Sequence, residues 1–198
     1  MNLLALLTEL IEKVKRALGL GLGPLKEAVS PITFVGDSIT AFNNWQAAFR
    51  GKLIFNQGVA GDTTLQIMDR LGIIQSTGAK TYIMMMGIND IWGWKYDAPN
   101  TASRIFAIRN NLLATGARVV IQSTVECSGQ LHGYDTLNRV RELNNILKST
   151  IPQEDYLDIN CVLSDGNGLK LNYTYDGIHL NKDGYAEWHK HLRSSGLL

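Results

Sequence analysis

From residue 31 onward the chain alternates short apolar runs with longer amphipathic stretches, and this alternation narrows the possible folds more than any other feature. Residues 32–35, 53–55, 82–86, 119–123 and 156–159 read as strands. Helical patterns follow Thr40 and Thr63 and recur around 101–114, 136–149 and 182–193. Strands that alternate with helices predict an α/β fold, with a parallel sheet covered on both faces. Met84, Met85 and Met86 sit in an unbroken apolar run, as expected of a strand buried on both sides, and read as core filler.

Composition sets the outer limits. A chain of 198 residues, 45% apolar and 19% charged, suits one globular domain with a real core. A net charge of +1 and the lack of any basic run give no electrostatic case for nucleic acid. Cys127 and Cys161 show no CxxC spacing, so no zinc or redox motif is supported, and both read as buried free thiols.

The first 23 residues form a separate unit. Leu4, Leu7, Ile11, Val14 and Leu18 repeat at helical spacing, and Glu9, Glu12, Lys13, Lys15 and Arg16 take the other side. An amphipathic helix over 2–18 is expected, ended by the Gly-rich linker at Gly19, Gly21 and Gly23. Docking on its own domain is the first reading of that helix, and homo-oligomer formation through a short apolar seam the second. Membrane binding ranks last, because the polar face carries both signs. No charged leader or small-residue cleavage site marks a signal peptide, which points to a cytoplasmic product, with release or incorporation in a larger particle left open.

In open parallel sheets, function gathers beyond the carboxyl ends of the strands. The unusual residues of this chain fall there. Gly36-Asp37-Ser38 follows the first strand, Asn56-Gln57-Gly58 the second, Gly87-Ile88-Asn89-Asp90 the third and Thr124-Val125-Glu126-Cys127 the fourth. Ser38 lies in a strand-to-helix turn, where free N–H groups favour developing negative charge, although a serine at a helix start is most often a cap. Asp176-Gly177-Ile178-His179 precedes the last helix. An Asp three residues before a His can fold back onto the ring and hold its tautomer, which a serine nucleophile requires of its base. His189 and His191 read as a solvated helix face, and His132 as a substrate contact or nothing. The Asn89 amide and the Gly58 N–H could donate to an oxyanion, against the plainer reading of two turn residues.

Together these blocks resemble the SGNH hydrolases, also called the GDSL family of esterases and lipases, over residues 31–193. The carrying residues are Gly36-Asp37-Ser38-Ile39-Thr40, Asn56 and Gly58 within the run to Thr63, Gly87-Ile88-Asn89-Asp90, and Asp176-Gly177-Ile178-His179-Leu180. The resemblance implies a flavodoxin-like, five-stranded, three-layer α/β/α fold and ester hydrolysis with no metal or cofactor. It implies Ser38 as nucleophile, His179 as base and then acid, and Asp176 as the orienting carboxylate. Ser38, Gly58 and Asn89 would form the oxyanion hole, while Asp37 and Asp90 brace the loops.

Trp92 and Trp94, in a glycine-containing loop after Asn89, are expected to bind substrate, with self-anchoring of the loop as the alternative. Glu126 is expected on the opposite pocket wall, in a stretch whose Gly129 and Gly133 suggest mobility. The family likeness favours a small-molecule or glycan ester as partner, with O-acetyl groups on a carbohydrate first. A lysophospholipase or thioesterase acting on longer acyl chains is second.

Overall fold

A computed structural model describes residues 30–198, together with Glu9, Leu10, Lys13 and Val14. The helix expected over 2–18 and the linker after it lie outside the described residues, apart from those four. They are helical and include a Lys13–Glu9 ion pair.

Five strands form one parallel sheet: β1 (Pro31–Gly36), β2 (Leu53–Gly58), β3 (Thr81–Met85), β4 (Arg118–Gln122) and β5 (Tyr156–Leu157). Their spatial order is β2-β1-β3-β4-β5, the flavodoxin-like order, and every pair is parallel. The expected fold class is thus the observed one. Four strands fall within two residues of their expected bounds, β2 runs three residues further than expected, and all the long helices are present. These are α5 (Ala98–Leu113), α7 (Tyr134–Thr150) and α9 (Lys182–Ser194). Shorter helices α1 (Ser38–Ala41), α2 (Trp45–Ala48), α3 (Thr64–Asp69), α4 (Leu71–Gln75), α6 (Gly129–His132) and α8 (Asn160–Leu163) fill the connections. No pattern of residues marked β6 (Ser164–Asp165) and β7 (Gly168–Leu169), a small antiparallel pair. Among the described residues, no helix is long and apolar enough to cross a membrane.

Side chains alternate across the sheet, and each face has its own layer. On one face Phe34 stacks on Trp45 at 3.8 Å, and Trp188 of α9 meets Trp45 edge-on at 4.9 Å. All three are essentially inaccessible to solvent. Helices α5 and α7 pack against each other over the opposite face, burying Ile105, Ile108, Leu143 and Leu147. Met84, Met85 and Met86 are core residues, as expected. Cys127 is buried but Cys161 is exposed, so the expectation of two buried thiols holds for only one. Cys161 lies in the first turn of α8, where its thiol donates to the Asp158 carbonyl at 3.0 Å.

Candidate active site

The carboxyl end of β1 sets the first piece. Gly36 is there because a Cβ would run into the Met85 carbonyl and the Thr40 side chain. Asp37 then caps α1, its Oδ1 accepting the Ile39 N–H at 3.0 Å. That carboxyl is wholly buried, and its Oδ2 has no hydrogen-bond partner among the described residues. Burial pushes Asp37 up to about 7, against the lowering hydrogen bond from Ile39 and with help from the negative charges of Asp90 and Asp62. The cap presents Ser38 at the first turn of α1, 5% exposed.

The second piece is a self-contained turn. Asp176 Oδ1 accepts the N–H groups of Ile178 at 2.9 Å and His179 at 2.8 Å. Its Oδ2 accepts from His179 Nδ1 at 2.7 Å. Thr174 closes the turn, its hydroxyl donating to the His179 carbonyl at 2.7 Å. Partial burial raises the Asp176 carboxyl, but the hydrogen bonds from His179 and Ile178 outweigh it and hold the group at about 2. With Nδ1 committed to the carboxylate, His179 Nε2 is left to accept from the Ser38 hydroxyl, 2.9 Å away. The Phe42 ring, 62% exposed, lies 5.6 Å from the His179 ring. Nothing in the sequence singled Phe42 out.

The third piece brings hydrogen-bond donors. Asn89 opens a π-helical turn, Asn89–Gly93, and its Nδ2 donates to the Asp62 carbonyl at 2.9 Å. The second amide hydrogen has no partner among the described residues. Asp90 is fully buried and accepts from the Thr64 N–H at 2.9 Å and hydroxyl at 2.6 Å, with Arg104 beside it at 3.2 Å. Asp90 thus braces the loop, as expected, and Asp37 braces α1.

Gly58 requires correction. Its N–H donates to Asn56 Oδ1 at 2.9 Å, so it is already satisfied. Gly58 is a glycine because a Cβ would collide with the backbone of Ala41. Gly61 is the alternative candidate donor. It has φ +84, open space around its Cα, and an N–H with no partner among the described residues. It also adjoins Asp62, whose carbonyl holds Asn89. The signal was present in the sequence as a second glycine three residues on, directly before Asp62-Thr63.

The expected substrate wall divides. Trp92 and Trp94 are 44% and 63% exposed. Trp92 meets the His132 ring edge-on at 5.6 Å, and His132 Nε2 lies 2.7 Å from the Asp176 carbonyl. The Trp92 loop therefore borders the acid–base turn, while Trp94 stacks on Tyr96. Glu126 does not join this cluster. Its two carboxylate oxygens take Arg141 Nε at 3.0 Å and Nη2 at 3.2 Å, and it lines a separate cleft with Asn144 and Lys148. A forked pair of this kind uses up the carboxylate. Gly129 is buried against the Tyr134 ring, which makes it a packing residue. His189 also departs from its reading as a solvated residue. It sits among Trp45, Phe49 and Tyr185, bonds Asn43 at 2.7 Å, and is lowered by burial and by Arg193.

A hydroxyl, an imidazole and a carboxylate in line, beside unpaired N–H donors, can move a proton off the hydroxyl as it attacks a carbonyl. Among the described residues, no group of three or more His, Cys, Asp or Glu is arranged to hold a metal ion. A model of the GDSL-like lipase/acylhydrolase family matches residues 34–187. The chain belongs to that family. Within the family it resembles platelet-activating factor acetylhydrolase IB subunit alpha2 of Rattus norvegicus, 27% identical over 82% of this chain and 74% of that protein. It is also 26% identical to N-acylneuraminate cytidylyltransferase of Escherichia coli O18:K1:H7, over 81% of this chain. It spans only 39% of the length of that protein. A solved GDSL-like lipase from Bacteroides thetaiotaomicron shares the fold, with TM-score 0.71 and 20% identity over 92% of this chain and 95% of that one. Family membership makes this GDSL chain an ester hydrolase in the broad sense.

Proposed function

We propose that the chain is a serine esterase that removes O-acetyl groups from a carbohydrate. The observation that carries the catalytic part is the unbroken line from Ser38 Oγ through the His179 ring to Asp176, with links of 2.9 and 2.7 Å. His179 Nε2 takes the Ser38 proton as Oγ attacks the ester carbonyl. The Ser38 N–H, the Gly61 N–H and the free amide hydrogen of Asn89 receive the oxyanion. The alcohol leaves with the proton from His179, and the acyl group stays on Ser38. Water, deprotonated by the same nitrogen, then releases the acid. Asp176 holds the ring and stabilises its charged form.

Two features support the acetyl-sugar reading. Exposed Trp92 and Trp94 rings flank the Asn89 loop, and flat aromatic faces suit sugar rings. One relative is named as an acetylhydrolase and another as a cytidylyltransferase of an N-acylneuraminate. The test has two arms. Ser38→Ala should abolish hydrolysis of a small aryl acetate while circular dichroism stays unchanged. Retained turnover would end the catalytic assignment. A series of acyl chains from acetyl to octanoyl should then favour acetyl, and octanoyl esters turned over as fast would shift the reading to a lysophospholipase or thioesterase.

A further inference from the structure

Arg70 stands at the joint between α3 and α4 and reaches back beneath the loop that carries Gly61. Its side chain is 14% exposed. Nε donates to Asp62 Oδ2 at 2.6 Å, while Nη2 donates to the carbonyls of Gly36 at 3.1 Å and Gln57 at 3.0 Å. These acceptors belong to three separate pieces of chain. Gly36 ends β1, two residues before Ser38, and Gln57 lies at the end of β2. Asp62 directly follows Gly61, and its own carbonyl holds the Asn89 amide at 2.9 Å. One guanidinium therefore touches, directly or through one residue, every segment that carries a candidate oxyanion donor.

We propose that Arg70 is the positioning residue of the oxyanion hole: its fork fixes the spacing between the Ser38 N–H, the Gly61 N–H and the Asn89 amide. The inference rests on the esterase reading above. Only arginine suits the task, because its planar fork reaches a carboxylate and two backbone carbonyls in fixed directions. A lysine ammonium on a flexible stem can satisfy the charge of Asp62 without fixing the angles. Oxyanion donors work only within a few tenths of an ångström of about 2.9 Å from the developing charge. A misplacement of about 1 Å can cost on the order of 10²-fold in rate. Ground-state binding through the exposed aromatic rings does not depend on that spacing, so the effect should fall on kcat.

The experiment compares the full chain with Arg70→Lys, Arg70→Ala and Asp62→Asn, using a small aryl acetate as substrate and phenylboronic acid as a mimic of the tetrahedral intermediate. Arg70→Ala is expected to lower kcat by about 10- to 100-fold, with KM within roughly twofold, and to weaken boronate binding by a similar factor. Arg70→Lys should recover little. Asp62→Asn, which keeps the carbonyl that holds Asn89, should show a smaller loss of the same kind. Millimolar guanidinium should restore part of the rate of Arg70→Ala, and ammonium should not. If Arg70→Ala does not fold, Arg70→Lys and Asp62→Asn decide by the same kcat and boronate readouts. Unchanged kcat and boronate affinity in folded variants, or a loss confined to KM, would overturn the proposal. Ser38→Ala separates the two levels. If that variant is inactive while the Arg70 variants match the parent, only the positioning role falls. If it remains active, the esterase reading fails first.

Discussion

The backbone carbonyl of Asp176 accepts a hydrogen bond from the ring of His132, 2.7 Å from Nε2. His132 belongs to α6, on the far side of the sequence from the turn it supports, and its ring also meets Trp92. Trp92 thus lies against the residue that holds the acid–base turn. His132→Ala should lower kcat about fivefold, the worth of one hydrogen bond of about 1 kcal/mol, while His132→Gln, which can still donate, should lose less. Steady-state kinetics on an aryl acetate would check this.

Asp176 stays ionised far into acid, because its carboxyl is held at about 2. The Asp176 carboxyl should therefore add no acid limb of its own to kcat/KM above about pH 3. Asp176→Asn should cost less than Ser38→Ala, on the order of 10⁴ against 10⁶ in kcat by analogy with serine hydrolases in general. A pH–rate profile with a second acid limb between pH 3 and 5 would contradict the assignment.

Asp37 should make the protein less stable as pH rises. Unfolded, the group titrates near its ordinary value of 3.8, whereas folded it titrates at about 7. Between those values the folded chain keeps a proton that the unfolded chain has lost, so stability falls across the window and levels off above it. From pH 5 to pH 8 the loss should be about 2–3 kcal/mol. Asp37→Asn retains the cap oxygen and should remove most of that dependence in urea melts at the two pH values.

Asn89→Ala should lower kcat by about 10²–10³ with little change in KM, as expected for loss of one oxyanion donor. Boronate inhibition should weaken in parallel. A loss seen only in KM would instead make Asn89 a ground-state contact.

Trp188→Ala should destabilise the chain by about 3–5 kcal/mol, because it empties the space against Trp45 in a core layer with no exposure. Denaturant unfolding would measure it, and kinetic constants of the remaining folded enzyme should change little.

The sheet was legible because each strand announces itself as an apolar run between turn residues, and the long helices because their apolar faces repeat. Elements too short to show a period escaped notice, above all β6 and β7, at two residues each. In the site, Ser38 and Asn89 stand out in the sequence because they follow strand ends, and Asp176 and His179 because an acid three residues before a histidine can fold back onto its ring. Gly58 misled because strand position alone does not say whether an N–H is already used, and here Asn56 uses it. Glu126 misled for a similar reason. Its partner Arg141 lies fifteen residues later on α7, and only the folded chain brings the two together. Phe42 gave no signal, since a single aromatic after a short helix has no periodic context.

The turn from Asp176 to His179 has a further consequence. Both oxygens of the acid are spent on its own four-residue turn, so the ring's tautomer and tilt are decided locally, before the turn meets the rest of the protein. The link to Ser38 is the longest in sequence, 141 residues, and joins the supports from His132 and Ser128. Drift of this loop would therefore alter how often the base reaches the serine, while leaving its readiness to accept a proton intact. Mutations around the loop should behave as changes in the fraction of time the enzyme is armed, with the shape of its pH profile preserved.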